Sequence, residues 1–315
     1  MVGMLLAAGR GERMEPLSSL IPKPALPVLD KPLLAASLQQ LFAAGCCRVV
    51  VNLHRHPEQV AAAARQAACG RQVLFSWEPE LLGPGGGLAA ARPLFGSGPV
   101  LVANGDSWAA LDLTPLLAAG GPDEVVLGLL PHPDRKRWGA VHLDASGSVV
   151  GFSKPGENLQ QPGYLYTGWQ LLGSATLARL PAPPAPMGAF WEQLMTRGAL
   201  RGVLLSGSFA EAGTPRAYWE LVMGLVDGAS FVHPQARVHP SCRVVESALG
   251  PGAEVAAGAQ LERCVLLPGA VVGPGARLRG CLVAGAVPPG RELSQGVWIG
   301  PGAGGAGEAW SPFTG

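Results

Sequence analysis

The sequence predicts an α/β region built on a mixed, mostly parallel sheet, followed by a short β-helix. Two observations lead to this fold class. Up to about residue 225, short apolar runs alternate with helix-like segments, which is typical of strands and crossover helices packed in layers. From about residue 230, aliphatic residues recur every six positions in a pattern that repeats every 17 residues, as stacked β-helix coils require.

Composition and charge narrow the class of protein. A chain of 315 residues with 48% hydrophobic content can bury a large core. The near balance of Lys+Arg 23 against Asp+Glu 22 gives no sign of a nucleic-acid partner. The 6 cysteines form no C-x-x-C pair, so we expect free thiols rather than a zinc site or a disulfide framework. No apolar run reaches the roughly 18 residues of a membrane span. The start MVGMLLAAGR lacks the basic region of a signal peptide. We therefore expect a cytoplasmic protein with no membrane partner.

The elements of the first region follow in order. Strands are predicted over VGMLLA, RVVVNL, QVLFS, PVLVANGD and EVVLGLLP, because each is a short apolar run bounded by turn residues. Helices are predicted over KPLLAASLQQLFAAG, opened by Pro32 and ended by Gly45, and over PEQVAAAARQAACG. DASGSVVGFSKP is typical of a tight turn followed by a strand. We expect this first domain to cover residues 1–228.

The second region carries the repeat. The aliphatic positions are Val232, Val238 and Val244, then Leu249, Val255 and Leu261, then Leu266, Val272 and Leu278. One inward aliphatic residue on each face of each coil predicts a β-helix of three or four coils over residues 229–303. Residues 304–315 have no period and are expected to form a tail that lies against the coils or frays.

The first predicted strand runs into a glycine turn. Gly9 and Gly11 follow it, and such a turn presents backbone N–H groups to phosphate oxygens at the carboxyl edge of an α/β sheet. Arg13 follows closely, and Lys23 stands between two prolines that restrict its backbone. Two fixed cations beside a phosphate cradle suit a polyphosphate whose leaving group gains negative charge.

LAAGRGERMEPL, continuing to PKP at residues 22–24, resembles the signature of the sugar-1-phosphate nucleotidyltransferases. Later motifs occur in that family's order: EPELLGPGGGL (residues 78–88), VANGD (102–106), SKP (153–155), YTG (166–168) and EAGTP (211–215). The resemblance implies a Rossmann-like catalytic domain joined to a left-handed β-helix of hexapeptide repeats. Taken together, the motifs and the appended β-helix are most similar to those of the mannose-1-phosphate guanylyltransferases and their uridylyl-transferring relatives.

The resemblance also implies a reaction and a site. A sugar-1-phosphate attacks the α-phosphorus of a nucleoside triphosphate, most simply GTP or UTP with a hexose-1-phosphate such as mannose-1-phosphate. An NDP-sugar and pyrophosphate result. No general base is needed, because the phosphate is already a nucleophile. A homo-oligomer formed through the β-helix is expected. The implied residues are Arg13 and Lys23 for catalysis; Leu6, Ala7, Ala8, Gly9, Gly11, Glu78, Gly83, Gly85 and Gly86 for the nucleotide; Gly139, Lys154 and Gly168 for the sugar phosphate; and Asp106 and Glu211 for Mg²⁺.

Several positions depart from the family pattern. Glu12 replaces a small hydroxyl residue, in the G-E-R-M form shared with N-acetylmuramate-1-phosphate uridylyltransferases. Pro84 replaces threonine, Ser153 replaces glutamate, and Glu211 replaces an aspartate ligand. These changes leave open a second function, a catalytically silent regulatory subunit that binds the NDP-sugar. An acyltransferase site in the β-helix is a weaker alternative, since only His233 and His239 are available in the coils.

Overall fold

The structure is a computed structural model that describes residues 1–304 and 307–313. The backbone divides into two compact units. The first contains Met1–Arg10 and Leu34–Ala210, and the second contains Gly11–Leu33 and the chain from Glu211 onward. The domain boundary expected near residue 228 stays a prediction. Among the described residues, no helix has both the length and the apolar character needed to cross a membrane.

The region before the repeats contains the following elements. Its strands are β1 (Val2–Leu6), β2 (Pro27–Val28), β3 (Lys31–Pro32), β4 (Val49–Leu53), β5 (Val73–Trp77), β6 (Val100–Asn104), β7 (Ser107–Asp112), β8 (Val125–Pro131), β9 (Ala140–Leu143), β10 (Val149–Ser153), β11 (Tyr164–Leu172), β12 (Leu200–Leu204) and β13 (Ser206–Glu211). Its helices are α1 (Leu34–Ala43), α2 (Pro57–Ala68), α3 (Gly83–Ala91), α4 (Thr114–Ala118), α5 (Met187–Met195) and α6 (Pro215–Val226). Short 3₁₀ helices cover Glu12–Met14, Leu17–Ser19, Lys23–Ala25, Arg92–Leu94 and Ser174–Arg179.

A mixed sheet organises the first unit. Its order is β10-β9-β11-β6-β1-β4-β5, and β8 pairs with both β11 and β12. β1 pairs in parallel with β4 and β6, and β4 pairs in parallel with β5. β11 runs antiparallel to β6 and β8. The mixed, mostly parallel sheet predicted from the sequence is confirmed, and it brings the carboxyl ends of β1, β4, β5 and β6 to one edge.

The predicted strands are confirmed as β1, β4, β5, β6 and β8. Four of them, β1, β4, β6 and β8, are buried along almost their whole length, which explains their continuous apolar runs, whereas β5 at the end of the sheet order is half-buried. The predicted start of the first helix at Pro32 is wrong, because Lys31–Pro32 pairs with Pro27–Val28 as a short hairpin and α1 begins at Leu34. Gly45, two residues beyond the end of α1, has a φ of 88° that favours glycine.

The second unit contains the β-helix. Its strands are β14 (Phe231–Val232), β15 (Arg237–Val238), β16 (Arg243–Val245), β17 (Ala248–Leu249), β18 (Glu254–Val255), β19 (Gln260–Glu262), β20 (Val265–Leu266), β21 (Val271–Val272), β22 (Arg277–Ala284), β23 (Ala286–Val287), β24 (Glu292–Ile299) and β25 (Ala309–Pro312). β14 to β24 stack in parallel from coil to coil.

The register confirms the 17-residue period. Val232 pairs with Leu249, which pairs with Leu266 on the next coil. The other two faces follow the same rule, with Val255 beside Val272 and Leu261 beside Leu278. Cysteines enter the same core, since Cys264 and Cys281 are wholly buried among the aliphatic side chains. The stacking therefore buries a continuous aliphatic column. The left-handed sense of the coils stays a prediction.

The last described residues include a strand that lies against the coils, one of the two arrangements expected for residues 304–315. β25 pairs antiparallel with β24, so the chain turns back onto the coil stack. Residues 305, 306, 314 and 315 of the expected tail lie outside the described residues. In the same unit, Trp219 of α6 donates a hydrogen bond from Nε1 to the Arg263 carbonyl at 2.8 Å. The Trp219 ring also lies 5.8 Å from the ring of Phe313.

Candidate active site

The turn after β1 lies at the carboxyl edge of the parallel strands. Ala7 and Ala8 are buried, whereas Gly9 is exposed. An ideal Cβ built on Gly9 would meet no atom within 4 Å, and its φ is not in the left-handed region. Neither packing nor backbone conformation therefore requires a glycine at position 9. The open space above Gly9 is what a phosphate approaching the backbone needs.

The buried pair Asn52 and Glu78 links this turn to the glycine-rich segment. Asn52, at the end of β4, accepts a hydrogen bond at Oδ1 from the Ala7 amide at 2.7 Å. Its Nδ2 donates to Oε1 of Glu78 at 2.8 Å. Oε2 of Glu78 accepts from the Leu82 amide at 3.1 Å. Both carboxylate oxygens are thus bonded within the protein, and the Glu78 side chain is wholly buried. This geometry favours a role for Glu78 in holding two loops together.

The glycine-rich segment is the start of helix α3. Its glycines lie against the backbone of residues 185 and 186. A Cβ on Gly83 would come within 2.7 Å of the Ala185 carbonyl oxygen, and one on Gly85 within 3.0 Å of the Pro186 carbonyl oxygen. The Gly86 amide donates to the Ala185 carbonyl at 3.0 Å. Close packing therefore accounts for these glycines without a ligand. A contact between them and the nucleotide stays a prediction.

Asp106 follows β6 at the same edge of the sheet. The Gly105 amide donates to the Leu6 carbonyl at 2.8 Å, and a Cβ on Gly105 would lie 3.2 Å from that oxygen. The absence of a side chain on Gly105 lets the end of β6 close onto the end of β1. Asp106 is half-buried there. This arrangement follows from the parallel pairing of Leu6 with Asn104.

The second unit holds Gly11, Arg13, Lys23 and Glu211. Gly11 has a φ of 67°, and a Cβ on it would lie 3.6 Å from Cβ of Lys23. Lys23 begins a 3₁₀ helix between Pro22 and Pro24, and its side chain is 6% exposed. The Tyr218 hydroxyl of α6 donates to the Pro27 carbonyl, and burial raises the pKa of Tyr218. These contacts fix the segment that carries Lys23.

Arg13 and Glu211 form an ion pair. Nη2 of Arg13 lies 3.2 Å from Oε1 of Glu211, with 72% of the arginine side chain and 32% of the glutamate side chain exposed. A Cβ on Gly213 would lie 2.9 Å from the same glutamate oxygen. Glu211, expected as a metal ligand, thus directs one oxygen to Arg13. Asp106 belongs to the other compact unit.

The Lys154 loop (residues 154–162) follows β10. Gly139 lies beside it, because a Cβ on Gly139 would be 2.7 Å from the Ser153 carbonyl oxygen and 3.9 Å from Cα of Lys154. The Lys154 amide donates to Oε2 of Glu157 at 3.0 Å. Gly168 lies in a β11 irregularity, where its φ of 80° lets it pack against Asn104. The structure thus joins Gly139 to Lys154 and Gly168 to the end of β6.

Ser153, which replaces a glutamate, faces inward. Its hydroxyl lies 3.0 Å from Nε2 of the buried His142, and Nδ1 of His142 lies 2.7 Å from the Pro162 carbonyl oxygen. A carbonyl only accepts, so Nδ1 carries the proton and Nε2 accepts from the Ser153 hydroxyl. The serine therefore serves an internal contact. No sequence motif predicts this pairing, because His142 lies in β9 and Ser153 in β10.

The family follows from the similarity of the chain to a family model and to individual relatives. Residues 2–227 match the Nucleotidyl transferase family. The chain belongs to this family. It is 33% identical over 231 residues to the N-acetylmuramate alpha-1-phosphate uridylyltransferase of Caulobacter vibrioides, covering 69% of this chain and 93% of that protein. The predicted kinship with sugar-1-phosphate nucleotidyltransferases is confirmed.

Two further relatives of this nucleotidyl transferase differ in the reaction that they are named for. The chain is 43% identical over 157 residues to the N-acetylmuramate alpha-1-phosphate uridylyltransferase of Neisseria meningitidis serogroup B, covering 47% of this chain and 67% of that protein. It is 28% identical over 282 residues to the mannose-1-phosphate guanylyltransferase of Mycobacterium tuberculosis, covering 83% of this chain and 78% of that protein.

Proposed function

We propose that this nucleotidyl transferase joins a sugar-1-phosphate to a nucleoside monophosphate unit taken from a nucleoside triphosphate. A phosphate oxygen of the sugar phosphate attacks the α-phosphorus, the bond from the α-phosphorus to the bridging oxygen breaks, and pyrophosphate leaves with that electron pair. The observation that carries this proposal is the convergence of the Gly9 turn, the Asn52–Glu78 pair and Asp106 at one edge of the sheet. Carboxyl edges of parallel strands are where α/β proteins bind nucleotides.

The turn after β1 is proposed to bind the triphosphate through its backbone. Gly9 is exposed and has free space where a side chain would stand, so phosphate oxygens can reach the N–H groups. Leu6, Ala7, Ala8 and Gly11 flank the same turn. Asn52 and Glu78 maintain the distance between this turn and the start of α3. Catalysis then depends on the positioning of two polyanions, and no general base is required.

Arg13 and Lys23 are proposed to stabilise the leaving pyrophosphate. Restriction by the two flanking prolines and burial of its side chain favour a fixed position for the Lys23 ammonium. The ion pair between Arg13 and Glu211 does not prevent its use, because exposed ion pairs contribute only about 0–1 kcal/mol. An incoming triphosphate, with several negative charges, can compete for the Arg13 guanidinium.

Asp106 is proposed as the principal Mg²⁺ ligand. Among residues 1–304 and 307–313, no group of three or more His, Cys, Asp or Glu side chains could hold a metal ion. This fits Mg²⁺, which is usually held by one or two carboxylates together with substrate phosphates and water. The ion would neutralise charge on the triphosphate. Glu211 fits less well, since one of its oxygens already accepts from Arg13.

Lys154, with Gly139 and Gly168, is proposed to bind the sugar phosphate. Lys154 starts an exposed loop, and its ammonium would pair with the phosphate of the attacking sugar. Because the Ser153 hydroxyl bonds to His142, other groups would have to contact the sugar hydroxyls. The substrates are proposed to be GTP or UTP with a hexose-1-phosphate such as mannose-1-phosphate, and the relatives' names add N-acetylmuramate-1-phosphate as a candidate. A homo-oligomer formed through the β-helix is part of the same proposal.

A panel of nucleoside triphosphates crossed with sugar-1-phosphates, with Mg²⁺, tests this function by mass spectrometric detection of the NDP-sugar. We expect product with one preferred pair. One alternative is a silent subunit that binds an NDP-sugar, which the replacements at Ser153 and Glu211 leave open. No product from any pair, together with an NDP-sugar that raises the melting temperature, would support that alternative and contradict the catalytic proposal.

A further inference from the structure

The Lys154 loop has little of its own to hold it in place. It contains no helix or strand, and Leu159 within it is 44% exposed. Within the loop, the Glu157 amide donates to the Lys154 carbonyl at 3.1 Å, and the Gln161 amide donates to the Asn158 carbonyl at 3.0 Å. These are local turns. The last residue of the loop is tied to the sheet, because the Pro162 carbonyl accepts from Nδ1 of His142 in β9.

Arg135, in the connection between β8 and β9, holds the middle of the loop. Its guanidinium donates to four backbone carbonyls of the loop. Nη2 bonds to the Asn158 carbonyl at 2.7 Å and to the Glu157 carbonyl at 3.5 Å. Nη1 bonds to the Leu159 carbonyl at 3.3 Å and also to the Gln161 carbonyl. The backbone adds a fifth contact, because the Gly156 amide donates to the Arg135 carbonyl at 2.8 Å. The loop is therefore wrapped around one cation.

The residues around the Arg135 guanidinium have conformations that allow it to contact the loop. Gly163, at the end of the loop, passes so close that a Cβ on it would lie 3.1 Å from both Cζ and Nε of Arg135. Asn158 adopts a φ of 49°, a conformation that asparagine tolerates better than most residues. On the other side, Oδ1 of Asp134 accepts from the Lys136 amide at 2.9 Å and from the Arg137 amide at 3.3 Å. Arg135 is thus presented from a tight turn.

We propose that Arg135 is a positioning residue for Lys154, and so sets the affinity of the enzyme for its sugar-1-phosphate. This inference rests on the proposed function. Arginine suits the task, because a planar guanidinium offers five donors in a fixed fork, whereas lysine offers three donors on a flexible stem. Without the clamp, residues 157–161 lose the side-chain contacts that define their path, although Gly139 still packs against Ser153 and Pro162 still contacts His142. The loop that starts at Lys154 then holds the lysine side chain less firmly.

The test compares Arg135→Ala, Arg135→Lys and the control Arg137→Ala. Arg137 lies in the same turn, is exposed, and stacks on Trp138 with its Cζ 4.5 Å from the ring centroid. Its removal takes away the same charge without touching the loop carbonyls. We expect Arg135→Ala to raise KM for the sugar-1-phosphate about tenfold, with KM for the triphosphate changed less than twofold. We expect Arg135→Lys to raise the sugar-phosphate KM at least threefold.

A second readout does not need activity. Cleavage after Glu157 by a glutamate-specific protease should be at least fivefold faster in Arg135→Ala than in the unmodified chain or in Arg137→Ala. Equal effects of Arg135→Ala and Arg137→Ala on KM, or unchanged cleavage at Glu157, would overturn the inference. Absence of turnover in the unmodified chain would contradict the proposed function instead, while the cleavage rate still tests the clamp.

Discussion

The side-chain amide of Asn52 donates a hydrogen bond of 2.8 Å to Oε1 of Glu78 in the interior of the first unit. The pair connects the turn after β1 to the start of α3, through the amides of Ala7 and Leu82. Each of the four polar atoms involved has a partner, so removal of either side chain leaves buried groups without hydrogen bonds. Such groups are costly, at about 1–3 kcal/mol each.

Glu78→Ala should therefore lower the free energy of unfolding by at least about 2 kcal/mol. It should also raise KM for the nucleoside triphosphate more than KM for the sugar-1-phosphate, because the two loops lose their fixed separation. Urea titration and steady-state kinetics measure these effects. Glu80→Ala is the matched control, since Glu80 is exposed two residues away. Equal effects of the two substitutions would show that the Asn52–Glu78 pair does not position the loops.

Gly9→Ala should weaken triphosphate binding without destabilising the fold, whereas Gly86→Ala should destabilise the fold. A methyl group at Gly9 meets only open space, so the fold should be unchanged or gain up to about 1 kcal/mol from a less flexible unfolded chain. Triphosphate binding should weaken at least tenfold, because the methyl group blocks the approach of phosphate. A Cβ on Gly86 would lie 3.0 Å from the Ala185 nitrogen, so that variant should lose about 1–3 kcal/mol of stability.

Thermal unfolding and triphosphate titration by calorimetry separate the two glycines. Gly188→Ala serves as a control for Gly86→Ala, because a Cβ there has no neighbour within 4 Å. Normal triphosphate affinity in a well-folded Gly9→Ala protein would argue against phosphate binding at this turn.

Much of this architecture is predictable from the sequence because the relevant signals are local or periodic. The 17-residue repeat predicts that Val232, Leu249 and Leu266 stack on successive coils, and the structure pairs Val232 with Leu249 and Leu249 with Leu266. The strand over VGMLLA and the position of Asp106 just after β6 are also predictable from the sequence. The prediction that α1 begins at Pro32 is wrong, because Pro32 belongs to a hairpin of two short strands.

The contacts that define the candidate site are harder to predict from the sequence, because they join residues far apart in the chain. Asn52 is 26 residues from Glu78, and His142 is 11 residues from Ser153. Arg135 reaches carbonyls more than 20 residues away. A polar residue at the carboxyl end of a buried strand, as Asn52 is, was the one available signal. Nothing in the sequence distinguished Arg135 from the exposed cations beside it.

Thiol reactivity should divide the six cysteines by burial. Burial raises the pKa of Cys46 to about 12, so almost none of it is thiolate at pH 8. Cys264 and Cys281 are wholly buried in the coil core, and the hydrogen bond that lowers the pKa of Cys281 does not give a reagent access to it. Cys47 and Cys69 are exposed and should react with an aromatic disulfide reagent first.

The expected result is a fast phase of two thiols in the native protein and six thiols after denaturation. Cys46 should still be absent from the fast phase at pH 9, because its pKa lies well above that pH. A Cys47→Ser, Cys69→Ser double variant should lack the fast phase. Rapid reaction of Cys264 or Cys281 would contradict the close packing of the coils.

Pyrophosphate release tests the central claim most directly. The preferred triphosphate and sugar-1-phosphate would be supplied with Mg²⁺ to the unmodified chain and to Lys23→Met and Asp106→Ala. Methionine keeps the length of the lysine side chain, so the fold should survive, as the melting temperature would show. The account predicts release that depends on the sugar-1-phosphate and falls at least about 100-fold in both variants. Unchanged turnover in a folded Lys23→Met protein, or no release from the unmodified chain with any substrate pair, would contradict it.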